Sequence, residues 1–141
     1  MDRINRALLE VRILHGFFVI TILLFIFVIF QANPQEQPLE KVIPLAVAAV
    51  NVATIFAGVI LRSRILTPSV EILRRNPGNT QALGRWRLGQ LLSFTLAESI
   101  ALFGLALKFV GADWKTVAPF FAASILLLLF WIPKLDVAST G

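Results

Sequence analysis

Glu98 is the residue in this chain whose type and position could do chemistry. It lies within the apolar run Leu88 to Val110, long enough to cross a bilayer. A carboxylate at the centre of a spanning helix costs roughly 2.5 to 3.5 kcal/mol on insertion scales, so such a group faces protein or a water path and either binds a proton or cation or joins helices. Asn51 and Thr54 stand in another apolar run, Val42 to Leu61. Measured from Arg62 and from Arg87, Asn51 and Glu98 both lie ~16 Å deep, near the midplane of a ~30 Å hydrocarbon core. An amide hydrogen-bonds a carboxyl in either protonation state, so a midplane Asn51–Glu98 pair is expected, with Thr54 beside it. Two uses of that pair stay open. It joins two helices, in which case Glu98→Leu loosens the bundle, or it titrates and handles a proton or cation.

The elements that must position these residues follow from composition. With 141 residues, 57% of them hydrophobic and 15% charged, and a mean hydropathy of +0.82, the chain is too apolar for a soluble domain of this size and reads as one polytopic membrane domain over 1–141. Four spans are expected, over about 11–30, 42–61, 88–110 and 116–132. A secretory signal peptide is the rival reading of the first, but no small-residue cleavage site follows it.

Ten of the 13 Lys and Arg residues fall on one side of this topology, in the N-terminus, the 62–87 loop and the C-terminal tail. Lys41, Lys108 and Lys115 are the other three. By the positive-inside rule both termini are expected to be cytoplasmic, in an inner (cytoplasmic) membrane. The fold class is therefore all-α: a four-helix transmembrane bundle of two antiparallel hairpins. A short cytoplasmic helix, Pro68 to Arg75, is expected between spans two and three, with Thr67 as cap and proline in its first turn. Thr80 could cap the next helix, which would start in the cytoplasm and enter the membrane.

Small residues suggest which faces meet. Ala46, Ala49, Ala53 and Ala57 form one stripe on span two, and Gln90, Ser93, Ala97, Ala101 and Gly104 form another on span three. Small side chains let backbones approach, so these stripes are expected to form the core seam of the bundle or of an oligomer. Spans one and four, rich in Phe, Leu and Ile, are expected to form a lipid-facing casing. Trp86, Trp114 and Trp131 fall at predicted span ends, as in an aromatic belt. Lys108 near the outer end of span three is expected to snorkel, and His15 to act as a hydrogen-bonded or solvated anchor.

Arg62, Arg64, Arg74, Arg75, Arg85 and Arg87 are candidates for contact with anionic lipid headgroups or an acidic partner. Their placement beside apolar runs, with no basic domain, argues against nucleic acid. The chain has no cysteine and one histidine, so no disulfide, thiol catalysis, metal cage or cofactor is expected. A lipid-modifying enzyme is the weakest reading, because neither membrane face gathers several acid, base or metal groups.

The stretch from Arg75-Asn76-Pro77 through Leu96-Ala97-Glu98-Ser99-Ile100-Ala101-Leu102-Phe103-Gly104-Leu105 resembles the second half of the proteolipid c subunit of rotary ATP synthases. In that family a polar Arg-x-Pro loop leads into a helix whose carboxylate carries the proton or sodium ion. The resemblance implies that role for Glu98 and the loop position for Asn76-Pro77. It is confined to the hairpin: alanines replace the repeated glycines of the preceding span, and a first and a fourth span are added. The whole chain is more similar to small four-span bacterial membrane proteins with such a carboxylate-bearing helix. The expected role is an accessory or assembly subunit of a membrane complex, as homo-oligomer or part of a larger assembly. A proton- or cation-handling proteolipid-like protein is the alternative.

Overall fold

Residues 2–136 are described by a computed structural model. Residues 137–141 of the C-terminal tail, expected on the basic side, lie outside the described residues. Among the described residues there are helices and no strand: α1 (Arg3–Ala32), α2 (Val42–Leu61), α3 (Thr67–Arg75), α4 (Thr80–Val110) and α5 (Trp114–Phe130). Three helical segments, Arg3–Ala32, Val42–Arg75 and Thr80–Val110, are long and apolar enough to cross a membrane, and Trp114–Phe130 is a shorter apolar helix.

Each helix end has a local cause. Asn33 adopts a left-handed conformation (φ 43°) and donates its N–H to the Ile29 carbonyl, closing α1 just before Pro34. Asn79, and not Thr80, caps α4: its side chain accepts from the Ala82 N–H at 2.9 Å. Gly111 ends α4 at φ +117°, where a side chain would be strained and a Cβ would also press on Gln37 at 3.0 Å. Gln37 itself donates its N–H to the Gly111 carbonyl, tying the α1–α2 loop to this end.

α2 does not stop at Arg62. A π-helical turn, Arg62–Leu66, carries it directly into α3, so Thr67 is not a cap and the expected separate helix is the end of one long helix. Pro68 supplies the reason. Its ring crowds the preceding turn and it has no N–H to donate, and a widened turn relieves both. Ser69 donates its hydroxyl to the Ile65 carbonyl at 2.6 Å.

α4 is the axis of the molecule. It touches α1, α2, α3 and α5. Glu10 pairs with Arg87 and Phe18 packs on Phe94, so α1 runs parallel to α4. Arg62 reaches Gln90 and Ser124 donates to the Ala97 carbonyl, so α2 and α5 run antiparallel to it. Of the expected inner pair (spans two and three) and outer casing (one and four), α4 is an inner helix, whereas α2 leaves most of its spanning surface exposed, as α1 does. α1 and α5 pack on α4, whereas α2 buries only Asn51 and Gly58. The α4 stripe of Gln90, Ser93, Ala97, Ala101 and Gly104 is buried, but Ala46, Ala49, Ala53 and Ala57 all face outward. The physical reason is rotational: α2 turns its Asn51–Gly58 line inward, where Gly58 meets the Trp131 ring.

The outer surface is apolar over most of its length, with Phe17, Phe27, Leu45, Phe56 and Phe130 among its exposed side chains. Such an area in water would be a very large sticky patch, and in a bilayer it is ordinary lipid-facing surface.

Asp113 begins α5 by accepting the Thr116 N–H at 3.0 Å. Hydrogen bonds from Thr116, then the charges of Lys115 and Lys108, hold its carboxyl below the ordinary aspartate value of 3.8. Because the folded value is the lower one, this contribution to stability is complete above pH 3.8 and is lost as pH falls through the folded value. Asn caps a helix about as well and does not titrate. Wild type is thus expected to lose its thermal-stability advantage over Asp113→Asn on acidification. A difference that does not change with pH would contradict the capping role.

Candidate functional site

Glu98 and Asn51 lie on facing, antiparallel helices, but the expected pair is not made. Asn51 is 4% exposed, and neither its Oδ1 nor its Nδ2 has a hydrogen-bond partner. Glu98 is half-buried and takes part in no hydrogen bond or ion pair among the described residues. Thr54 donates its hydroxyl to the Val50 carbonyl of its own helix at 2.9 Å and adds nothing to either group. Two polar groups therefore stand unsatisfied in apolar helices. Each such orphan costs about 1 to 3 kcal/mol when no water reaches it.

The six loop arginines do not form one site. Arg75 pairs with Glu71 within α3, and Arg87 pairs with Glu10 of α1. Arg64 and Arg85 are exposed and have no ion-pair partner among the described residues. Arg62 and Arg74 share a cleft of about 610 Å³ at the basic end, between the π-turn, α3, the start of α4 and the residues after α5. Arg62 is half-buried, its guanidinium 5.1 Å from the Trp131 ring centroid, and Arg74 donates its Nε–H to the Asp136 carbonyl at 3.3 Å.

Several residues have roles that sequence reasoning missed. Lys108 does not snorkel: its side chain is 3% exposed and its ammonium meets Glu36 Oε1 at 2.8 Å, with the Ala112 carbonyl at 3.0 Å and the Trp114 ring beneath. The helix ends on Gly111, and the loop folds back over Lys108 before the ammonium reaches solvent. Trp86 and Trp131 are buried in protein, not ranged along a belt, while Trp114 stacks on Phe30. His15 is an anchor: its Nε2 lies 2.8 Å from the Leu128 carbonyl, one of the free carbonyls at the end of α5, so Nε2 carries the proton. Nothing in linear spacing marks these partners, which lie far apart in the chain.

Together these features define, among the described residues, an all-helical protein with three helices long and apolar enough to cross a membrane, an unpaired carboxyl within one of them, and a basic cleft at one end. In comparisons with protein-family models, curated proteins and solved structures, nothing matches the chain. The likeness of the α2–α4 hairpin to the proteolipid family therefore rests on the quoted residues alone.

Proposed function

We propose that this chain is a multi-pass protein of the bacterial inner membrane, with four spans and both termini cytoplasmic, that serves as an accessory or assembly subunit of a membrane complex. The observation that carries this reading is Glu98: a carboxyl in an apolar helix with no hydrogen-bond or ion-pair partner among the described residues. A neighbouring chain that donates a hydrogen bond to it removes the cost of leaving it bare. On this reading the midspan carboxylate joins one chain to another, and the outward alanines of α2 let a second helix backbone approach closely. α5, 17 residues long, covers ~25 Å and needs little tilt to complete the fourth span. The gathering of Lys and Arg at one end supports the orientation.

The chain has no cysteine, so Ala53→Cys gives a single reporter on the outward face of α2. In native membranes this variant is expected to cross-link to a neighbour, and Glu98→Leu to reduce that cross-link severalfold. In detergent, Glu98→Leu is expected not to lower the thermal stability of the isolated chain, since no hydrogen bond or ion pair among the described residues is lost. A monomer that never cross-links, or an isolated chain clearly weakened by Glu98→Leu, would overturn the assembly reading.

A second reading is favoured by the same pair of orphans. Asn51, buried with no hydrogen-bond partner, and Glu98, half-buried with none among the described residues, are what a proton- or cation-handling protein needs before its ion arrives. Difference infrared spectroscopy of the carboxyl stretch, wild type against Glu98→Gln, separates the two. A band that titrates near neutral pH or shifts with sodium supports ion handling, and a silent one supports assembly.

A further inference from the structure

We propose that the cleft at the basic end is a binding site for the phosphate of an anionic phospholipid headgroup. Its charged wall is built from two segments distant in sequence: Arg62 and Arg74, on the continuous helix formed by the π-turn and α3, and Lys134 after α5. Glu71 is the acid in the wall, and it is already paired with Arg75 at 2.9 Å. The cationic groups therefore outnumber the one partnered acid, and the cleft carries a net positive charge that an anion would neutralise.

The floor adds neutral donors. Gln90 is buried, and its Oε1 faces the Arg62 guanidinium at 3.4 Å, which leaves the amide N–H groups of Gln90 uncommitted. Trp86 is fully buried in the wall, and its indole N–H has no acceptor among the described residues. Charge-assisted bonds from guanidinium to phosphate are the strong ones, and Arg62 is held in place by the Trp131 face, so little of its freedom remains to be lost on binding.

The lip of the cleft says how the phosphate arrives. Phe130, 81% exposed, and Ile132 line the same cleft beside its cationic groups. A free phosphate has no use for an apolar lip, whereas a phospholipid lays its acyl chain along one. The site thus joins a charged half for the headgroup to an apolar half for the tail, at the level where a spanning bundle meets the headgroup layer. It rests on insertion of the chain in a bilayer and not on the assembly role of Glu98, so either can fail without the other.

The test is native mass spectrometry of the full chain released from mixed micelles containing phosphatidylglycerol or phosphatidylcholine, with inorganic phosphate as competitor. Retention of phosphatidylglycerol over phosphatidylcholine is expected. Arg62→Gln and Lys134→Gln should each lower that retention about fivefold. Lys134 is exposed and makes no hydrogen bond or ion pair among the described residues, so its variant tests the site even if Arg62→Gln disturbs packing around Trp131. Arg64→Gln, outside the cleft, should change nothing. Equal retention of the two lipids, or an equal fall with Arg64→Gln, would overturn the proposal. Displacement of the lipid by millimolar phosphate would overturn the assignment of a tail to the lip and leave a simple phosphate site.

Discussion

Gly104→Ala is expected to destabilise the protein by about 1 to 3 kcal/mol, while Gly84→Ala, on the same helix, is expected to stabilise it by roughly 0.5 to 1 kcal/mol. The opposite signs come from what a methyl group would meet. At Gly104 an added Cβ lies 2.9 Å from Phe120 Cβ, an atom fixed to the backbone of α5 that no rotamer change can move. The methyl would push α5 away from α4, and the Ser124 hydroxyl, now 2.6 Å from the Ala97 carbonyl, would be drawn off its acceptor. At Gly84 nothing lies within 4 Å, so the substitution only lowers the freedom of the unfolded chain. Gly104→Leu should separate the helices further and lower the unfolding temperature more than Gly104→Ala. Thermal unfolding of the three variants in one detergent checks the order; if Gly104→Ala matches wild type, the close α4–α5 contact is not what holds that face.

The stripe containing Gly104 was legible in the sequence, because small residues at helical spacing in an apolar run leave few uses besides backbone approach. The span of α2 was legible for a similar reason: Val42 and Leu61 bound an apolar run that holds no charged residue. What linear pattern could not supply was rotation. The alanines of α2 carry the same signal as the small residues of α4, yet they point outward, because the Gly58–Trp131 contact fixes which side of α2 faces the molecule. The Asn51–Glu98 pair failed for the same reason. Equal depth in two helices places two residues at similar height, and a hydrogen bond also needs both side chains on the shared face. At Pro68 the Thr-Pro start signal does not begin a separate helix, because the preceding helix continues through a widened turn. The basic cleft was half visible, since Arg62 and Arg74 were marked by charge. Lys134, Trp86 and Gln90 join them only through the packing of the helix ends.

The ion pair at the opposite end leads to the second large effect. Glu36→Gln is expected to destabilise the chain by about 1 to 3 kcal/mol, and Lys108→Met to cost well under that. The asymmetry follows from unequal burial: the Lys108 side chain is 3% exposed, whereas that of Glu36 is 53% exposed. Without Glu36 the ammonium stays buried with one carbonyl, that of Ala112, and the face of Trp114. Without Lys108 the carboxylate turns to solvent, and methionine fills much of the space the lysine stem occupied. The double variant should then resemble Lys108→Met alone, because removal of the charge removes the reason for the loss. The loop should report the same event. Glu36 neighbours Gln37, whose N–H bonds the Gly111 carbonyl at 2.9 Å, so hydrogen exchange at Gln37 should rise in Glu36→Gln and stay near wild type in Lys108→Met. Equal losses from both single variants would mean that the pair is a solvated surface contact. A larger loss from Lys108→Met would mean that the lysine stem and the Trp114 face, and not its charge, hold this end of α4 to the loop.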